Sequence, residues 1–258
     1  MSIRLHNICK PASYAGAPGP LFDGLDLEVE EGTRVGILGA AKSGKSTLLR
    51  LICGTEIPDG GRVEVTSRVS WPLPMNTFLA ATSTVIVNIR FMARLYGIRD
   101  EAFPRRIADM VEISDFLNVP LHKCPKFVKP RLALAIGIGM EFDIYLFDGV
   151  FAAADKEFKK KATEIVAERM ATRGYVLATS LPAEVERNCD SAYVLEAGRA
   201  RYFAQAKEGV EYFKELLAAQ KQKQDAGGED PIRPGEDEGE DEAGDIEILG
   251  TAIGSAIE

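Results

Sequence analysis

The chain has 258 residues, 46% hydrophobic and 27% charged, the balance of a soluble protein with a substantial core in one large or two small domains. Its longest smooth apolar run, Leu132 to Met140, is too short to cross a bilayer, which takes about 20 residues, and the N-terminus lacks the basic-then-apolar pattern of a secretory signal. The formal charge of −8 is lopsided: Asp225 to Glu258 hold 12 acidic residues against Arg233 alone, which leaves residues 1 to 224 at +3.

Ser2 to Lys10 alternates polar and apolar residues, the pattern of a half-buried strand, and Leu25 to Glu30 repeats it. Both read as antiparallel strands beside a core. Between them, Pro11 to Pro20 is a turn region. Tyr14 in that turn is a candidate to stack on an adenine, with a plain surface tyrosine as the other reading.

Arg34 to Leu38 then reads as a short buried strand, followed by Gly39, Ala40, Ala41, Lys42, Ser43, Gly44, Lys45, Ser46 and Thr47, which match G-x-x-x-x-G-K-[ST]. Ser46 to Cys53 reads as a helix stopped by Gly54. A strand, a glycine loop and a helix N-terminus make an anion cradle. Its backbone N–H groups face phosphate oxygens, and the helix dipole adds about half a positive charge. Lys45 is the candidate for the β- and γ-phosphates, and the Ser46 hydroxyl for Mg²⁺.

Beyond the turn Ile57 to Gly61, two short strands are expected at Arg62–Val65 and Arg68–Trp71. From residue 83 the period becomes helical: Val85 to Tyr96, ending at Gly97, then Glu101 to Ile113, then a shorter helix with Ser114 as N-cap and Leu117 turned inward. Phe91 and Leu95 are expected in the core. Arg90, Arg94, Arg99, Arg105 and Arg106 give a basic, solvated face. The core returns at Phe142 to Asp148, a continuous apolar run ending in an acid, as a buried parallel strand presents at its ligand-binding end. Asp148 is therefore the second candidate for Mg²⁺. A helix at Asp155–Arg173, a buried strand at Tyr175–Thr179, a short helix at Pro182–Asn188, a hairpin at Ala192–Phe203 and a last amphipathic helix at Lys207–Ala219 complete the body.

Cys9, Cys53, Cys124 and Cys189 are scattered without a C-x-x-C pair, which fits reduced thiols and neither a disulfide frame nor a zinc site. The acidic tail, with Glu236 to Glu242 at its centre, is too polar to offset its ordering entropy and is expected to be disordered. Ile246 to Leu249 reads either as a short docking segment or as more solvated tail.

Over residues 2 to 217 the sequence resembles the ATP-binding subunits of ABC transporters, of the small type that drives capsular polysaccharide export. The resemblance rests on the phosphate loop, Val69-Ser70-Trp71-Pro72, Arg90 to Gly97, Arg131-Leu132-Ala133, Phe142 to Asp148 and Phe158-Lys159-Lys160-Lys161. It implies an α/β fold: a P-loop ABC-type nucleotide-binding domain over residues 1–219, with an antiparallel β subdomain and a helical subdomain inserted at about 83–140, and residues 220–258 as the acidic tail. It further implies ATP and Mg²⁺ as cofactors and a peripheral place on the cytoplasmic face of the inner membrane. The implied partners are a membrane permease and a second ATP-binding subunit in a homodimer or heterodimer, with no nucleic acid.

The groups such ATPases use for hydrolysis are replaced. Cys124-Pro125-Lys126-Phe127-Val128 stands at the signature, Gly149 at the catalytic glutamate, Leu181 at the switch histidine and Ala80 near the sensing glutamine. The resemblance therefore implies a nucleotide-binding subunit with impaired hydrolysis. A transport ATPase that uses unusual residues (Lys126 or Lys129 in place of the signature) and a soluble ATP-binding regulator are the alternatives.

Overall fold

A computed structural model of the protein describes residues 2–12, 19–73, 77–149 and 158–226. Two sheets divide the strands. The smaller, in the order β2-β1-β4, is antiparallel and consists of β1 (Ser2–Lys10), β2 (Phe22–Glu30) and β4 (Gly60–Val65). The larger has the order β5-β6-β7-β3-β8-β9. It contains β3 (Arg34–Leu38), β5 (Val69–Leu73), β6 (Ile144–Asp148), β7 (Gly174–Thr179), β8 (Ser191–Glu196) and β9 (Arg199–Phe203), parallel except where β9 turns back on β8.

The burial patterns explain the division. β6 and β7 sit inside the large sheet and are buried almost residue for residue, as parallel strands covered on both faces must be. β2 alternates buried and exposed, because only one of its faces meets the core. The two short strands expected after the Gly60-Gly61 turn part company: β4 joins the small sheet and β5 becomes an edge of the large one. An edge tolerates Pro72, which has no N–H to give a ladder. Arg68 and Asp143 fasten that edge, the Arg68 amide donating to Asp143 Oδ2 at 2.8 Å and the guanidinium to Oδ1 at 3.0 Å.

α1 (Lys45–Ile52) lies in the apolar layer between the sheets, with Leu48, Leu49, Leu51 and Ile52 buried against Ile3, Leu27, Ile37 and Leu146. A second layer holds α2 (Val85–Leu95), α3 (Phe103–Met110) and α4 (Val128–Gly139), inserted between β5 and β6. α4 is buried almost all round, which accounts for the unbroken apolar run in its sequence. α5 (Lys159–Met170), α6 (Pro182–Asn188) and α7 (Ala206–Ala226) complete the body, with Val185, Val210 and Phe213 packed on Leu38 and Val194.

Several elements differ from their sequence expectation. α3 is shorter than Glu101–Ile113: it begins beside Pro104, and Glu112 takes φ 59° so that the Ile113 amide can return to the Ala108 carbonyl at 2.9 Å. Ser114 caps nothing. Its hydroxyl donates to Asp109, and Ser114–Phe116 is a single 3-10 turn. Phe91 and Leu95, expected in the core, are 60% and 66% exposed, because α2 buries Val85, Asn88, Ile89, Met92 and Ala93 instead. α7 runs on past Ala219 to Ala226 through Gln220 to Gln224, all good helix formers. The described part of α5 starts at Lys159, and the expected residues 155–157 lie outside the described residues.

Candidate functional site

The loop from Gly39 to Gly44 joins the carboxyl end of β3 to the N-terminus of α1, near the centre of the large sheet. Gly44 is the N-cap of α1 at φ 94°, a conformation that suits glycine, and a Cβ there would come within 2.8 Å of the Phe22 ring. Glycine offers no capping side chain, and the first turn of α1 contains no acid. The N–H groups at that end are thus left to whatever enters the cradle.

Lys45 is half-buried, and its Nζ donates to the carbonyl oxygens of Gly39 at 2.7 Å and Ala40 at 2.9 Å. Burial pulls its pKa down, and the nearby Asp148 carboxylate partly opposes that. Ser43 Oγ is buried and has no hydrogen-bond partner among the described residues. An orphaned hydroxyl and an uncapped helix end are donors with no internal acceptor, and beside them stands a lysine bent back on its own loop, a set that fits a phosphate chain. Thr47 is committed elsewhere, since its Oγ1 accepts from Arg50 at 3.0 Å. Ser46 and Lys42 line the open side of a cleft of about 210 Å³ with Leu21, Ser43, Gly44, Lys45 and Thr47.

Asp148 ends β6, opposite Ala178 of β7, and its field is felt at Lys45, so the chain brings it to the same end of the sheet as Ser46. Among the described residues no three His, Cys, Asp or Glu side chains converge. A hydroxyl and one carboxylate suit Mg²⁺, which keeps most of its waters and takes substrate phosphates as ligands. Tyr14 lies outside the described residues. The ends of its turn, Ala12 and Gly19, line an adjoining cleft of about 110 Å³ that also touches Lys42 and Ser43.

The positions at which the resemblance implies replacement are also on view. Gly149, at φ 79°, donates its amide to the Ala178 carbonyl at 2.7 Å. Leu181 is 57% exposed at the N-terminus of α6, its amide donating to Thr179 Oγ1. Ala80 is held by Asn88, which accepts from the Ala80 amide at 2.8 Å and donates to its carbonyl at 3.1 Å. In the 124–128 segment, Lys126 and the following Lys129 face solvent. Phe127 packs edge-on against Phe116, with the Arg131 guanidinium 4.7 Å from its ring centre and 4.2 Å from that of Phe158.

Two polar groups here escape a motif search. Asn88 is buried on an otherwise apolar helix face, and that oddity was its sequence signal. Glu184, whose carboxylate accepts from Thr179 Oγ1, has no sequence signal at all.

A family model described as "ABC transporter" matches residues 22–151. The ATP-binding protein BexA of Haemophilus influenzae is 33% identical over 213 residues, covering 83% of this chain and 98% of the relative. The capsule polysaccharide export ATP-binding protein CtrD of Neisseria meningitidis serogroup B is 32% identical over 192 residues, 74% of this chain and 89% of that protein. Among solved structures, an ATP-binding subunit of an ABC transporter superposes with a TM-score of 0.71 over 86% of this chain and 100% of its own, at 19% identity.

Proposed function

This chain belongs to the ABC transporter family, and we propose that it is the Mg-ATP-binding subunit of a transporter that exports a capsular polysaccharide. The observation that carries the reading is the pair of donors with no internal acceptor, the Ser43 hydroxyl and the uncapped end of α1, beside Lys45 folded onto Gly39 and Ala40. The cargo class is supported by the likeness to a relative named for capsule polysaccharide export. In this reading the subunit sits on the cytoplasmic face of the inner membrane, against a permease and paired with itself or with a second ATP-binding subunit. Residues 1–219 form the nucleotide-binding domain and 220–258 the tail.

Bound Mg-ATP supplies the anionic oxygens that the cradle lacks. Lys45 trades its two loop carbonyls for the β- and γ-phosphates. Ser43 and the first-turn amides of α1 hold the phosphate chain, while Ser46 and Asp148 hold the cation. Tyr14 is the candidate to stack on the base. Hydrolysis is impaired in this reading, because no side chain at Gly149 polarises a water, none at Leu181 senses the γ-phosphate, and Pro125 has no backbone amide to offer a partner's nucleotide. A positioned acid–base group contributes on the order of 10²–10⁴-fold to rate, so losing two leaves little turnover. Calorimetric titration with Mg-ATP together with steady-state phosphate release tests both halves. Binding heat with turnover well below about 1 per second, the low end of ordinary enzyme rates, supports the reading, and no heat at millimolar nucleotide overturns it.

A further inference from the structure

The small sheet ends at β4, which pairs with β1 on one side and with no strand of the described residues on the other. The Thr66 amide donates to the Ser2 carbonyl at 3.0 Å, in the register that sets Arg4 opposite Glu64 and His6 opposite Arg62. In an antiparallel ladder such hydrogen-bonded pairs recur at every second residue. Arg62, Glu64 and Thr66 therefore turn their backbone groups to β1, while Val63 and Val65 turn theirs to the open edge. The far side of β1 agrees. Glu28 of β2, also opposite Arg4, gives both its amide and its carbonyl to the Tyr193 hydroxyl at 3.0 Å, which leaves Arg4 to pair with Glu64.

An open edge is a template for another strand, and folded proteins blunt it with proline, a bulge or an inward-pointing charge. Residues 62–66 contain no proline, and their register on β1 is regular from Arg62 to Val65. The inward-pointing side chains are apolar: Val63 and Val65, half-buried on the layer that holds α1. The charges lie on the outer face, where the exposed Arg62 guanidinium meets Glu64 at 3.0 Å.

We propose that β4 pairs with β4 of a second copy of this chain, antiparallel about a two-fold axis at Val63. The backbone allows the axis at each residue from Arg62 to Val65, and the side chains choose among them. An axis at Arg62 or at Glu64 sets like charges directly opposite each other, which is unfavourable. An axis at Val65 sets Glu64 opposite Thr66 and leaves the charges unmatched. At Val63, Arg62 of each copy faces Glu64 of the other, the two Val63 residues exchange their free amides and carbonyls, and their side chains meet on the inner face. The strand is complementary to itself in that register alone. The ladder is short, below the roughly 1,200 Å² of a stable interface, so the dimer is weak and concentration-dependent. The cradle belongs to the other sheet, at the end of β3, so this pairing needs no nucleotide.

The test is sedimentation equilibrium of the full-length chain at submillimolar concentration, free of nucleotide, with EDTA and a thiol reductant present. A monomer–dimer equilibrium is expected. Arg62→Glu should weaken it roughly tenfold, because the two-fold axis counts the reversed charge twice. Combining Arg62→Glu with Glu64→Arg restores opposite charges across the axis and should restore the association. Val63→Pro should abolish the dimer while the monomer stays folded, since it removes an amide that β1 does not use and an edge strand tolerates proline. Thermal melts check the folding of each variant, and if the proline variant unfolds the charge reversals still decide. A chain that stays monomeric, a dimer indifferent to Arg62→Glu, a reversal that the exchanged pair fails to rescue, or a dimer that a folded Val63→Pro variant retains would each overturn the proposal.

Discussion

The Thr179 hydroxyl donates to Glu184 Oε2 at 2.6 Å while accepting from the Leu181 amide at 3.1 Å, so one side chain fixes the turn that leaves the carboxyl end of β7. Burial raises the pKa of the Glu184 carboxyl above its ordinary value, and the bond from Thr179 only partly opposes it. A carboxyl raised on folding binds more protons in the folded state. The stability this confers is complete below the unfolded pKa, about 4.5, and is lost as pH rises through the higher folded value. Glu184→Gln keeps an acceptor for Thr179 but abolishes the titration. The expected outcome is a melting-temperature difference, variant minus wild type, that grows in the variant's favour from pH 4 to pH 7. A difference that is flat or shrinks with pH would show that the carboxyl is effectively solvated.

Lys45→Ala should weaken Mg-ATP binding. Hydrogen bonds to charged groups contribute about 1.5–3 kcal/mol, which corresponds to a loss of roughly 10- to 150-fold in affinity. The same substitution strips the Gly39 and Ala40 carbonyls of their donor, and Gly39 is buried, so a cost in stability of about 1–3 kcal/mol should accompany the loss of affinity. Calorimetry paired with a thermal melt separates the two effects. Unchanged affinity in a folded variant would mean that phosphates do not reach Lys45.

The parallel core and the cradle were legible in the sequence for a physical reason. β3, β6 and β7 are buried nearly throughout, so each reads as a continuous apolar run, and a glycine loop between a strand and a helix has few other uses. α2 was legible as a helix but not in its orientation. Val85, Ile89 and Met92 form one apolar stripe, Val87, Phe91 and Leu95 another, and a single helix cannot say which stripe meets a neighbour. The end of α3 depends on the left-handed turn at Glu112, a conformation glutamate does not advertise. The Thr179–Glu184 bond joins two elements across a turn and leaves no periodic mark.

Gly149→Ala should lower stability by about 1–2 kcal/mol. Gly149 sits at φ 79°, and a Cβ built there meets nothing within 4 Å among the described residues. The cost is therefore backbone strain alone, of the size that L-residues show in the left-handed region. Denaturant unfolding of the variant measures it directly. A loss near zero would show that the loop after Asp148 relaxes freely and that a glutamate there would be unstrained.

Restoring hydrolysis tests whether the reacting groups are indeed what the chain lacks, and the structure dictates how to do it. Gly149→Glu alone should yield little, because it carries the strain just described and, in the proposed reading, no signature segment closes over the nucleotide. Leu181→His is structurally mild, since that side chain is largely exposed. Replacing the whole 124–128 segment would be destructive, because Val128 is fully buried in the core of the helical layer. Pro125→Ser, Lys126→Gly and Phe127→Gly respect that limit, and glycine is well suited to position 127, the N-cap of α4. Losing the Phe127 ring removes one of the two aromatic faces against Arg131, which keeps Phe158 at 4.2 Å and its bond to the Val111 carbonyl at 3.3 Å. With folding checked by melting and nucleotide binding by calorimetry, the combined variant should release phosphate faster than the sum of the separate changes, because such groups act as one unit. A folded, ATP-binding combination whose phosphate release stays at the wild-type level would place the catalytic positions elsewhere in the chain.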